Sequence, residues 1–300
     1  MPRPYNIMFS FRTETKDLND DTRRLTGGSF VPLRDGMTHY ELGNNTRDNT
    51  VVLVHGFSVP YFIYDPTFHF LTQNNFRVLR YDLFGRGFSD RPDVDYNIDL
   101  FVRQLSDLLD ALRITRPVNL VGLSMGGPIT ATFTARYPER VSKLVLIDPA
   151  GGRSLPYSRI LRLVTSPFTG EALISLLVGS SDIIQKISSG FLKEQHIDES
   201  FQERYLVQLQ FKGFKRAILS SIRNHAVDSC IDVYRKVGRM NKPALLFWGR
   251  HDTTVPLQQS EDICAAIPNL EFHIIEDCSH IPHYEKPEET NSLLLEFLRK

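Results

Sequence analysis

The sequence predicts an α/β protein built on a doubly wound, mostly parallel sheet with helices on both faces. Three observations carry that prediction. Short Val/Leu/Ile-rich runs alternate with stretches of helical periodicity. The later runs are continuously apolar, the pattern of parallel strands buried on both faces. The 300 residues, 41% hydrophobic and 23% charged, suffice for one large domain carrying an insertion.

The elements follow in order. Residues 1–28 are charged and lack periodicity, so an irregular N-terminal extension is expected. Phe30–Leu33 and Thr38–Leu42 read as strands paired across Arg34-Asp35-Gly36-Met37, where Asp-Gly is a hairpin turn signal. Thr50–His55 and Phe76–Tyr81 are the next two strands. Leu100, Leu105, Leu108, Leu109 and Leu112 recur at helical spacing within 98–113. A strand over Asn119–Leu123, a helix over 126–137 and a strand over Lys143–Ile147 follow. The alternation then breaks between about Gly151 and Val237. Apolar-periodic segments such as Phe201–Ile222, interrupted by Gly213, predict a helical insertion there. The sheet resumes with Ala244–Trp248, a helix at 257–267, the strand Glu271–Ile275 and a closing helix at 287–299. The domain organisation is thus an extension over 1–28, a core over 29–150 and 241–300, and an insertion over 151–240.

Composition excludes several classes. Lys plus Arg number 35 and Asp plus Glu number 35, so no global field steers the chain to nucleic acid or an anionic membrane. No apolar run is long enough to span a bilayer, and the N-terminal stretch turns charged before a signal-peptide core develops. Three cysteines, odd in number and without metal-type spacing, favour reduced thiols and a cytoplasmic protein. The histidines lack metal-ligand spacing, so no metal is expected. The glycines after Asp82 fail the dinucleotide fingerprint, because Asp90 stands where its third glycine belongs. No cofactor is expected.

One motif carries chemistry. Gly122-Leu123-Ser124-Met125-Gly126 follows a predicted strand and precedes a predicted helix, the context of a nucleophile elbow. The turn is so sharp that its flanks must be small, and Ser124 projects beyond the sheet. A serine needs a base, and the base needs an orienting carboxylate. The chain supplies both in the order Ser, acid, His. Asp252, in Gly249-Arg250-His251-Asp252, follows one strand, and His280, in Cys278-Ser279-His280-Ile281, follows the next. Ligands meet the carboxyl ends of parallel strands, so all three are expected at one sheet edge. The backbone N–H groups of Phe57 and Met125 are the expected oxyanion donors. Gly56 lets the chain turn beneath them, and His55 is expected to be structural.

Taken jointly, HGF at 55–57, D-x-x-G-x-G-x-S from Asp82 to Ser89, GLSMG, GRHD and SHIPHYEKPE resemble the α/β-hydrolase superfamily, within its lid-bearing members. The resemblance covers most of 29–300 and implies an eight-stranded, mostly parallel sheet with 151–240 as a lid. It also implies a serine-dependent carboxylic-ester hydrolase of carboxylesterase or monoacylglycerol-lipase type, acting on a small-molecule ester of short to medium acyl chain. Serine at 124 argues against haloalkane dehalogenases and epoxide hydrolases, whose nucleophile is aspartate. Serine-dependent carbon–carbon hydrolases of ring-cleavage products share these motifs but often carry Trp after the histidine, where Ile281 stands here. A ligand receptor retaining the triad is a third reading.

Among competing residues, Asp148 ends another strand and rivals Asp252 as the acid. His283 is expected at the pocket rim or surface, and His251 as a plain loop residue. Cys278 is expected to be a buried, inert thiol, and Lys212, Lys215 and Arg216 a solvated helix face. Phe168, Phe191, Phe201 and Tyr205 are expected in the lid, as acyl-pocket lining or lid core.

Overall fold

The computed structural model describes residues 14–43, 49–154 and 199–300. Its strands are β1 Ser29–Leu33, β2 Gly36–Gly43, β3 Thr50–Val54, β4 Arg77–Tyr81, β5 Val118–Leu123, β6 Val141–Ile147, β7 Ala244–Gly249 and β8 Glu271–Ile275. They form one sheet in the order β1-β2-β4-β3-β5-β6-β7-β8. The hairpin partners β1 and β2, and the pair β2 and β4, run antiparallel; every other pair is parallel. The chain leaves β3 toward β4 and returns to the other side of β3 for β5. That reversal opens a crevice beyond the carboxyl ends of β3 and β5, where doubly wound sheets bind ligands.

The helices are α1 Asp20–Arg24, α2 Asp65–Gln73, α3 Ile98–Ala111, α4 Gly126–Arg136, α5 Glu199–Gln208, α6 Phe214–Arg223, α7 Ile231–Gly238, α8 Ser260–Ala266, α9 Pro282–Glu285 and α10 Pro287–Arg299. Every residue of β3, β5 and β7 is buried, which is why these strands read as continuous apolar runs. Successive side chains alternate between two core layers. Val52 and Val54 join Leu100, Phe101 and Ile129 on one face. Val51 and Leu53 join Phe68, Leu71 and Phe297 on the other. Asn97 caps α3 by accepting the Leu100 N–H at 2.9 Å.

Three features differ from the sequence expectation. The helix α2 was not foreseen, because its Thr and Phe residues favour strands and blur the helical period. The extension is not wholly irregular. It holds α1, pairs Lys16 with Phe211, and places the buried Glu14 carboxylate on the N–H groups of Gly213 at 2.8 Å and Lys215 at 2.7 Å. Lys215 is accordingly buried and departs from the expected solvated face, whereas Lys212 and Arg216 form surface ion pairs with Asp17 and Asp93, as a solvated face would. Of the expected insertion, Phe168, Phe191 and the rest of 155–198 lie outside the described residues. What is described of it is largely α5, α6 and α7.

A buried ion pair ties the extension to the sheet edge. His39 Nδ1 lies 2.7 Å from Asp82 Oδ2 and its Nε2 lies 2.7 Å from the Gly27 carbonyl. Both partners only accept, so both ring nitrogens must donate, and the ring is an imidazolium. Burial alone would lower the His39 pKa, but the Asp82 carboxylate more than offsets it and holds it above its ordinary value. Asp82, buried but also accepting the N–H groups of Tyr61 and Phe88, is held below the usual carboxylate range by His39. The His39 contribution to stability is therefore complete below the unfolded value near 6.5 and is lost as pH rises through the raised folded value. Thermal melts between about pH 5 and about pH 9 should show that alkaline loss in the wild type and a flatter curve in His39→Gln. An unchanged pH slope in the variant would show that the ring is neutral.

Candidate active site

Ser124 sits at φ +51°, a left-handed conformation that costs a non-glycine residue free energy, and its neighbours hold it there. Its N–H donates to Ile147 O at 2.9 Å, and its carbonyl accepts from Gly127 at 2.9 Å and Ala150 at 3.0 Å. A β-carbon on Gly126 would overlap the Val54 carbonyl, so this turn must lack one. Met125 is the residue on which α4 begins, so its N–H lies at the positive end of that helix.

The turn after β3 faces Ser124 directly: a β-carbon on Gly56 would stand 3.1 Å from Ser124 Cβ. Three side chains fix this turn by its carbonyls. His55 Nδ1 donates to Gly56 O at 2.9 Å, Arg86 Nε to Phe57 O at 2.8 Å, and Gln208 Nε2 to Ser58 O at 2.8 Å. His55 Nε2 accepts the Leu83 N–H at 2.9 Å, which fixes a neutral tautomer. Burial agrees, pushing its pKa down to about 4. His55 is a staple between two loops. Arg86 and Gln208 went unnoticed in the sequence. Arg86 stands inside the glycine motif after Asp82, but nothing in the pattern shows that it folds inward.

At the far side of the edge, Asp252 Oδ2 lies 2.7 Å from His280 Nδ1, with both side chains fully buried. Asp252 Oδ1 accepts the N–H groups of Thr254 at 2.8 Å and Val255 at 2.9 Å. A β-carbon on Gly249 would collide with the Ser279 carbonyl, so the loops after β7 and β8 approach this closely only through glycine. Glu285, on α9, clamps the histidine loop by accepting the N–H of Ser279 at 2.9 Å and that of Ile281 at 3.1 Å. This clamp was also missed; its signal is a glutamate five residues after the histidine.

The rival acid Asp148 is buried at the end of β6, where its Oδ1 accepts the Gly249 N–H at 2.9 Å. The imidazole is bonded to Asp252. His283 is not at the rim: α9 turns it inward, fully buried, with its ring 4.7 Å from that of Tyr64. Burial lowers its pKa to about 3, so it is neutral. Cys278 is buried and its thiol is driven up by burial, leaving it inert. His251 is an exposed loop residue. No helix among the described residues is long and apolar enough to cross a membrane.

A labelling experiment tests the site without a substrate. A fluorophosphonate should modify Ser124 in the wild type. Asp252→Asn should slow labelling by about 10⁴-fold, because it favours the wrong imidazole tautomer. Glu285→Ala should slow it by about 10-fold, through loss of two charge-assisted bonds to the histidine loop. Unmodified Ser124 in folded wild-type protein would remove the serine from the chemistry.

Residues 45–287 match a family model described as "Serine aminopeptidase, S33". The chain is 29% identical over 282 residues to a 2-hydroxy-6-oxononadienedioate/2-hydroxy-6-oxononatrienedioate hydrolase of Pseudomonas putida, covering 90% of this chain and 95% of that one. It is 31% identical to a 2-hydroxy-6-oxo-6-phenylhexa-2,4-dienoate hydrolase of Comamonas testosteroni, covering 75% and 78%. Among solved structures it superposes on a meta-cleavage product hydrolase from Pseudomonas fluorescens IP01 with a TM-score of 0.69 at 25% identity, covering 91% and 97%. These relatives correct the carboxylic-ester expectation, since their named substrates are oxo-dienoates and not esters. These relatives outweigh the Ile281 that stands where carbon–carbon hydrolases often carry Trp. Ile281 is fully buried in the apolar cluster that includes Leu294 and Phe297 of α10.

Proposed function

The chain belongs to the serine hydrolase family of that model, with the α/β-hydrolase fold, and on this premise we propose that it hydrolyses a carbon–carbon bond in a 2-hydroxy-6-oxo-dienoate. The naming of the relatives carries the reading. The charge distribution around the oxyanion turn supports it. Arg86 is fully buried, and its guanidinium bonds only to neutral acceptors: Phe57 O, Phe84 O at 3.2 Å and Ser221 Oγ at 2.8 Å. No carboxylate among the described residues pairs with it. Burial lowers its pKa to about 10, and it remains a cation near neutral pH. A buried charge without a counter-ion stabilises a negative partner strongly. An oxo-dienoate brings its own carboxylate, whereas a simple ester is neutral.

The chemistry follows from the substrate's structure. The 2-hydroxyl proton passes to C5, giving the 2-oxo form. His280 takes the Ser124 proton as Oγ adds to the C6 carbonyl, and the oxyanion forms against the N–H groups of Phe57 and Met125. Collapse breaks the C5–C6 bond. Its electron pair spreads through the C3–C4 double bond into the 2-oxo group, and His280 returns the proton to the released fragment. Water, activated by His280, then frees the acyl group as a carboxylic acid. Asp252 holds the imidazole tautomer and stabilises the imidazolium throughout. The helices α5 and α6 lie against the oxyanion turn, through Gln208 on Ser58 O and Ser221 on Arg86. The three free thiols fit a reducing, cytoplasmic setting.

Purified protein should bleach 2-hydroxy-6-oxo-6-phenylhexa-2,4-dienoate rapidly and turn over p-nitrophenyl butyrate only slowly, with both activities lost in Ser124→Ala. Rapid ester cleavage beside an untouched dienoate would overturn the reading. Arg86→Gln should lower kcat/KM for the dienoate about 10-fold more than for the neutral ester, because only the dienoate carries a charge through the reaction. Equal losses on both substrates would confine Arg86 to holding the turn.

A further inference from the structure

Asp148 has no part in the reaction above, yet it is fully buried beside the residues that do. It ends β6 at φ +40°, a strained value for a non-glycine residue, with its N–H bonded to Phe247 O at 3.0 Å. Side-chain atoms of Asp148, Asp252 and His280 lie within 4.8 Å of one another. The two carboxyls are unequally provided with donors. Asp252 accepts three: Thr254 N–H, Val255 N–H and His280 Nδ1–H. Asp148 accepts one, the Gly249 N–H on Oδ1, and no donor among the described residues reaches its buried Oδ2.

Two ionised carboxylates cannot share a dry site at this distance. The proton goes to the carboxyl with fewer donors, and an Oδ2 that no donor reaches is where it belongs. We propose that Asp148 is a positioning residue of the triad: held as a neutral acid, it donates its Oδ2–H to the Asp252 carboxylate and fixes that carboxylate against His280. Burial, then the Asp252 charge, push the Asp148 carboxyl well above the usual carboxylate range, and the Glu285 carboxylate adds to this. The other groups facing it are the Gly249 N–H and the neutral Cys278 thiol. With Asp148 neutral, the cluster carries one negative charge in the resting state and none once His280 is an imidazolium. An ionised Asp148 would add a second negative charge and leave Asp252 short of a donor.

The proposal rests on the triad assignment and not on the substrate, so fluorophosphonate labelling of Ser124 tests it whichever bond the enzyme breaks. Asp148→Asn supplies an amide N–H in place of the acid O–H, and labelling should stay within about 3-fold of the wild type. Asp148→Ala should slow labelling by about 10- to 100-fold, the loss expected for a hydrogen bond to a charged group. Infrared difference spectra of wild type minus Asp148→Asn at neutral pH should show the carbonyl stretch of a protonated carboxylic acid. A carboxylate signature in its place would overturn the proposal. So would an Asp148→Asn defect as deep as that of Asp252→Asn, which would make Asp148 the triad acid. Wild-type labelling by folded Asp148→Ala would show that Asp252 needs no help. Should Asp148→Ala fail to fold, the Asn variant and the infrared signature still decide.

Discussion

The architecture depends on one constraint, the closeness with which loops pass one another at the carboxyl edge of the sheet. Ser124 is held in a left-handed conformation by three backbone hydrogen bonds, to the end of β6, to the loop after it at Ala150 and to the start of α4. The Gly126 backbone lies against the Val54 carbonyl, Gly56 lies against Ser124 itself, and Gly249 lies under the Ser279 carbonyl. At Gly126 and Gly249 a single β-carbon would separate loops that must meet, and at Gly56 it would crowd Ser124. Strain of this kind persists only where surrounding structure over-determines it. Here the fully buried strands β3, β5 and β7 provide that determination.

The same constraint explains what was legible in the sequence. Close approach demands glycine, and glycine at fixed offsets from a reactive residue is a local signal. Hence the elbow around Ser124, the turn at Gly56 and the Gly249 loop could all be read from short windows. Parallel strands announced themselves as continuous apolar runs, because burial on both faces leaves no polar side. What could not be read was set by distant contacts. Arg86 and Gln208 are polar residues whose partners include carbonyls of a distant turn, at Phe57 and Ser58. Nothing in their own neighbourhood distinguishes them from surface charges. Lys215 and His283 misled in the same way: each sits in a short segment that reads as exposed and is turned inward by the helix that carries it.

The substrate class was misread for a different reason. A Ser-His-Asp set with an oxyanion turn lowers the barrier for attack on a carbonyl and is indifferent to what leaves it. An alkoxide and a dienolate differ beyond the attacked carbon, in groups that the triad does not touch. Motifs at the triad therefore could not decide between ester and carbon–carbon cleavage.

The buried charges at the sheet edge form an ordered series. His39 and Asp82 neutralise each other and stitch the extension to the loop after β4. Arg86, on that same loop, has no carboxylate partner among the described residues and sets a positive potential behind the Phe57 turn. Across the crevice, Asp252 is negative and Asp148 carries the proton that prevents a second negative charge. Anionic charge arising on a substrate between them is thus drawn toward Phe57 and away from Asp252. A field with this direction favours an oxyanion at the Phe57 turn. A fixed arrangement of this kind stabilises the transition state without reorganising when the bond breaks.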